Sequence, residues 1–241
     1  MRRVIIGVAL ACALAGFPAS AGAHVGTTGT LRFDPNKKIS QSTSSNWSGY
    51  SAINGRYTSV SASWTQPTAR CTSATTYSSF WVGLDGYGSS TVEQTGTSAD
   101  CSGAAARYYA WYEMYPKFPV NLSLAIRPGD SISASVTTDG TGNFALTITN
   151  NRSGQSFTTT QRLRHAKLAS AEAIAEAPSG SGGVLPLTNF GTVSFSSTRV
   201  NGQPIGNFKP DKIDMVSGST LKAQTSALSG GTSFSVAWKH S

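Results

Sequence analysis

From Asn46 onward, apolar and polar residues alternate with a period of two over short runs. Val60, Ala62 and Trp64 fall on one side of such a run, with Ser59, Ser61 and Ser63 on the other. Ile132, Ala134 and Val136 alternate with serines in the same way, and Phe144, Leu146 and Ile148 repeat the pattern, as do Val193 and Phe195 and finally Phe234, Val236 and Trp238. Half-buried strands read like this, because successive side chains point to opposite faces. Turn signals separate the runs: Asn54-Gly55, Pro128-Gly129-Asp130, Asp139-Gly140-Thr141-Gly142, Asn201-Gly202 and Gly230-Gly231. The spacing predicts about a dozen strands and no long helix. The Ala-rich stretch from Leu163 to Ala177 is the one segment whose composition could pass for a helix. Strands at such regular spacing imply an all-β fold, an antiparallel sandwich or barrel. Strands resume on both sides of the Pro178–Gly183 loop, so residues 46–241 are expected to form one domain.

The first 45 residues do not share this pattern. Arg2 and Arg3 precede an apolar run from Val4 to Phe17, and Ala21-Gly22-Ala23 offers small residues for cleavage. Residues 1–23 are therefore read as an export signal, since the apolar run is shorter than the ~20 residues that span a bilayer. The expected product is a secreted, extracellular chain with no membrane association once the signal is cut. Residues 24–45 are polar and irregular, a flexible leader or a short propeptide.

Composition narrows the class. Charged residues make up only 12% of the chain against 39% apolar, which disfavours a helical bundle or coiled coil and leaves strands rich in Ser and Thr. The net charge is +8, but the basic residues are scattered singly, so no nucleic-acid partner is indicated. With Cys12 inside the signal, Cys71 and Cys101 remain as an even pair in an oxidising compartment and are expected to form a disulfide. No Cys/His cluster has the spacing of metal ligands, and no metal or cofactor is expected. A Ser-His-Asp triad is disfavoured as well: no GxSxG occurs, and His165 is the one histidine away from the ends of the expected mature chain.

Attention then falls on carboxylates and amides. In Ala171–Glu176 a strand puts Glu172 and Glu176 on one face and three alanines on the other. The aromatic strand Arg107–Pro116 puts Tyr109, Trp111, Glu113 and Tyr115 on one side. That set is too polar for a core and too aromatic for bare solvent, as in the wall of a binding cleft. A third segment runs from Phe80 through Asp85-Gly86 to a strand on which Val92 and Gln94 share a face; there a neutral amide can donate to a developing oxyanion. Asp85 is expected to accept backbone N–H bonds in its turn and so to position the strand bearing Gln94. Asp130, Asp139 and Asp211 sit at turn-like places with the same plain role.

Six segments occur in the order seen in one family: Asn46–Tyr50, Trp64–Pro67, Trp81–Gly86 (WVGLDG), Glu93–Gly96 (EQTG), Ala110–Pro116 (AWYEMYP) and Ala171–Pro178 (AEAIAEAP). The chain thereby resembles the glutamic peptidases (eqolisins, peptidase G1), from about Ser45 to the C-terminus, as a secreted bacterial-type member. The resemblance implies an antiparallel β-sandwich of two large sheets, of the lectin and glucanase type. It also implies a Gln/Glu catalytic pair at Gln94 and Glu172, and a cleft lined by Trp47, Trp81, Trp111, Glu113 and Tyr115. The reaction it implies is hydrolysis of protein or peptide substrates at acidic pH by a directly activated water, without cofactor, and we expect a monomer. The family's Trp after the catalytic glutamate is here Ala173. Two rivals fit parts of the same pattern: a glycosidase pairing Glu172 with Glu113 or Glu176, and a glycan-binding module that stacks sugars on Trp111 and Tyr115. Neither accounts for the ordered set of motifs.

Overall fold

The computed structural model describes Leu31, Phe33 and residues 43–241, so the export signal expected at residues 1–23 lies outside the described residues. The regular structure is strand throughout, apart from one short 3-10 turn at Ile205–Phe208. In chain order the strands are β1 (Thr43–Ser44), β2 (Trp47–Ala52), β3 (Ser59–Thr65), β4 (Ser79–Leu84), β5 (Val92–Ser102) and β6 (Ala105–Tyr115). Next come β7 (Val120–Leu122), β8 (Ser131–Thr138), β9 (Asn143–Asn150), β10 (Gln155–Arg162), β11 (Ala171–Glu176) and β12 (Ser179–Gly180). The last are β13 (Gly183–Val184), β14 (Thr192–Val200), β15 (Gln203–Pro204), β16 (Asp211–Ser217), β17 (Thr220–Thr225) and β18 (Phe234–Trp238). The alternating runs are all strands, and the Ala-rich stretch is a loop followed by β11 rather than a helix.

Fourteen of these strands pair in one path, β10-β9-β8-β3-β14-β18-β17-β16-β2-β11-β4-β5-β6-β7. Every pairing along it is antiparallel, and β1 joins β16 in parallel at the side. The path folds over on itself, so β4, β5 and β11 contact β3, β8, β9 and β14, with which they do not pair. A register shift between Met215 and Val216, where β16 meets β17, adds local twist near the bend. The space between the two leaves is filled by the faces that alternation assigns to the core, including Trp64, Ile132, Val136, Phe144, Leu146, Phe195 and Val236. Each fully buried side chain of this size contributes roughly 1.5–3 kcal/mol.

The Asn201-Gly202 turn between β14 and β15 has φ of 48° and 75°, the left-handed pair that a two-residue hairpin requires. Cys71 and Cys101 form the expected disulfide. By closing a loop with a sequence separation of 30 it stabilises the fold by ~3–4 kcal/mol through the unfolded chain.

Candidate active site

One leaf, β2-β11-β4-β5-β6, carries a second cluster of large side chains on the face turned away from the core. It contains Phe33, Trp47, Trp81, Val92, Trp111, Ile174 and Ile213, with Tyr87, Tyr109 and Tyr115 packed at its margin. Strand register arranges this face in rows. One row reads Ser51, Glu172, Gly83, Gln94, Glu113 across the five strands. The next reads Gly49, Ile174, Trp81, Gly96, Trp111, and the third Trp47, Glu176, Ser79, Ser98, Tyr109. All seven residues that the sequence singles out, Gln94, Glu172, Trp47, Trp81, Trp111, Glu113 and Tyr115, therefore share this face.

The first row holds the polar chemistry. Glu172 and Gln94 stand two strands apart, about 9.5 Å between backbones, with only Gly83 between them. A side chain at position 83 would begin 3.1 Å from Gln94 Cβ and 2.9 Å from the Trp81 ring, so glycine keeps the gap between the acid and the amide open. Glu172 Oε1 accepts a hydrogen bond from Ser51 Oγ at 3.0 Å, and Oε2 has no donor. Burial pushes the Glu172 carboxyl well above the usual carboxylate range, offset only in part by the Ser170 and Ser51 hydroxyls and reinforced by Asp85 and Glu93. On the other side of the gap, Gln94 Nε2 donates to Glu113 Oε2 at 2.8 Å and to the Phe33 carbonyl at 3.0 Å. Glu113 thus fixes which end of the amide is nitrogen, because a carboxylate oxygen can only accept and the amide donates only through its N–H. Gln94 Oε1 has no hydrogen-bond partner.

The second and third rows form the aromatic wall. Trp47 packs edge-on against Trp81, with ring centroids 4.9 Å apart at 75°. Trp81 Nε1 donates to Glu176 Oε2 at 2.8 Å, and Asn46 Nδ2 donates to Glu176 Oε1 at 3.3 Å. Glu176 therefore orients an indole. Trp111 Nε1 donates to Ser98 Oγ at 3.0 Å, and Tyr115 lies half-buried opposite Val92.

Asp85 is a buried backbone acceptor, as expected, but it serves a different strand. Its oxygens accept from Leu168 N and Ala169 N, each at 2.8 Å, and its own N–H donates to the Ser170 carbonyl. It anchors the approach to β11 and hence Glu172, not the Gln94 strand to which its turn leads in the sequence. Ala173 points into the core between Tyr50 and Val82, so the missing indole is a matter of packing between the leaves and not of the cleft wall. Asp130 and Asp139 accept backbone N–H bonds, from Arg127 and Thr141 respectively; Asp211 instead accepts from the Tyr87 hydroxyl.

Three members of the site were not foreseen. Ser51 shares the face of Trp47 by simple alternation, a signal within reach of the sequence. Ser98 likewise follows Gln94 at a spacing of four. Phe33 gave no such signal, since it belongs to the polar leader.

The sequence pattern of the Peptidase A4 family matches residues 45–238. The chain is similar to Aspergillopepsin-2 of Aspergillus niger, 27% identical over 209 residues that make up 76% of this chain and 74% of that protein. Among solved structures it is similar to scytalido-glutamic peptidase with a transition state analog inhibitor, at TM-score 0.72 and 26% identity, covering 81% of this chain and 98% of the other. It is also similar to the eqolisin SCP-B in complex with the tripeptide Ala-Ile-His, at TM-score 0.67 and 25% identity over the same shares.

Proposed function

Since the chain belongs to the Peptidase A4 family, the glutamic peptidases or eqolisins, we propose that this glutamic endopeptidase works through Glu172 and Gln94 on secreted duty in acid. The observation that carries the pair is their placement on either side of Gly83 in one buried row. Substrates are proteins or peptides, in keeping with the peptide-based transition state analog held by scytalido-glutamic peptidase and the tripeptide held by SCP-B. The whole row comes from one chain, which supports a monomeric enzyme. Secretion rests on the N-terminal signal, and among the described residues no helix is long and apolar enough to cross a membrane.

The mechanism follows from the protonation state. Burial favours the neutral Glu172 carboxyl, so the acid form meets the substrate. Its O–H gives a proton to the carbonyl oxygen as its second oxygen takes one from the attacking water, and no net charge is created in a buried site. Gln94 N–H supports that carbonyl oxygen as negative charge develops, a role worth ~3–4 kcal/mol for a single such donor. Collapse of the tetrahedral species reverses the exchange: Glu172 protonates the leaving nitrogen and recovers a proton from a hydroxyl. The rate is then full below the raised Glu172 value and falls as pH rises through it.

A glycosidase or glycan-binding reading is not favoured. Glu113 receives the Gln94 amide and Glu176 the Trp81 indole, so both candidate partners of Glu172 already have structural work.

The test is casein cleavage from pH 2 to 8 by the wild type, Glu172→Gln and Glu176→Gln. Glu172→Gln is expected to lose ~10²–10⁴-fold with folding intact, and Glu176→Gln far less. A dead Glu176→Gln beside an active Glu172→Gln would reverse the assignment.

A further inference from the structure

Phe33 is the one Phe, Tyr or Trp between positions 24 and 45, in a segment that is mostly polar, yet it is 1% exposed. Its ring stacks on Trp111 with centroids 3.9 Å apart and planes at 14°. Its backbone carbonyl accepts from Gln94 Nε2 at 3.0 Å, on the hydrogen that Glu113 leaves over. Two independent contacts therefore fix one residue in the cleft: an aromatic side chain on an indole, and its own carbonyl on the amide assigned to stabilise a scissile carbonyl. The second contact ties the first to the reaction, because the residue whose carbonyl is attacked lies on the N-terminal side of the broken bond.

We propose that Phe33 stands where a substrate residue stands, so that Trp111 selects an aromatic residue on the N-terminal side of the cleaved bond and the leader fills that place within the uncut chain. This rests on the reading of Gln94 as the carbonyl's donor. In the reaction so specified, the water oxygen bonds to the carbonyl carbon of the aromatic residue, the C–N bond breaks, and the water's protons end on the new carboxyl and the leaving amine. The flat contact explains the selectivity: a ring covers the Trp111 face that a methyl group would leave mostly bare. The leader competes by the same two contacts, and being part of the chain it does so without diffusing.

The experiment uses the purified full chain, shown by mass spectrometry to retain Phe33, and paired peptides with Phe or Ala before a single scissile bond. The wild type is expected to prefer Phe in kcat/KM by about 10–200-fold. Trp111→Ala is expected to bring that ratio within about threefold, and Trp111→Phe, which keeps a ring, to restore most of it. Phe33→Ala is expected to raise the initial rate about tenfold or more by vacating the cleft. No preference in the wild type, or a preference that a folded Trp111→Ala retains, would overturn the assignment of Trp111 and leave the Gln94–Glu172 reading standing. An unchanged rate for Phe33→Ala would overturn occupancy by the leader. Failure of the wild type to cut any peptide would overturn both readings together. If Trp111→Ala does not fold, loss of the preference in Trp111→Leu, which keeps apolar bulk without a ring, serves as the same test.

Discussion

Glu93 and Gln94 are consecutive residues of β5, both buried, and they point to opposite faces of the same leaf. Gln94 faces the aromatic cluster, where its amide nitrogen has two acceptors and its oxygen has no hydrogen-bond partner. Glu93 faces the core between Leu84 and Met114, where neither carboxyl oxygen has a hydrogen-bond partner. Burial, and next the Asp85 carboxylate, push the Glu93 carboxyl up to about 9. An unpartnered polar atom thus has two meanings on one strand. On the face of the aromatic cluster it belongs to a neutral amide that, under the proposed mechanism, meets the substrate and so bears on the rate. On the core side it is a proton-binding group with no substrate to meet, which changes stability with pH.

The largest effect expected from this contrast is on the cleft side. Gln94→Ala should lower kcat/KM by ~10²–10³-fold with little change in unfolding midpoint, measured on one peptide substrate alongside thermal denaturation. A matching loss of stability would mean that Gln94 is a packing residue like its neighbour.

The next effect is on the core side. Unfolded, Glu93 releases its proton near 4.5; folded, it keeps it up to about 9. Folding therefore takes up a proton between those values, and stability, highest in acid, falls as pH rises across that window. Asp100, pushed up to about 7 chiefly by burial, steepens the same slope. Glu93→Gln should raise the unfolding free energy at pH 8 relative to pH 4 by about 1–3 kcal/mol, read from urea titrations at the two pH values, with peptidase activity retained. An unaltered slope would place the acid preference of the fold elsewhere.

The smallest effect joins the two faces. Asp85 clamps the approach to Glu172 and also repels Glu93. Asp85→Asn should remove one of its two backbone acceptors and cost about 1–2 kcal/mol of stability, while activity falls with it. Full stability with abolished activity would place Asp85 in the catalytic set.

What could be read in the sequence was whatever alternation and motif order carry. The faces of β6 and β11 and the core runs of β3, β8 and β9 follow from a period of two within one segment, and the choice of Gln94 and Glu172 follows from the ordered motifs that the chain shares with the family. What escaped depends on pairing between distant segments. Nothing near Ser51 announces that β2 will lie beside β11, 121 positions away. The turn at Asp85 marks it as a backbone acceptor, but its donors at Leu168 and Ala169 lie 83 and 84 positions on, so local sequence does not say which strand it anchors. Glu93 was hidden for a different reason: a lone acid in a strand reads as solvent-facing, and its burial follows from the second leaf closing over it.

The place of β11 in the sheet has a consequence for the order in which the enzyme comes into being. β11 lies between β2 and β4, which are joined to each other by nothing but this later strand. A growing chain can form the β5–β6 hairpin, and with it the Gln94–Glu113 bond, long before Glu172 has been synthesised. The amide half of the site exists early and the acid half arrives late, on the very strand that completes the leaf. On the proposed mechanism, in which Glu172 supplies the proton, chain assembly is itself a timing device: a nascent chain that has not yet reached position 172 lacks the acid and has no peptidase activity.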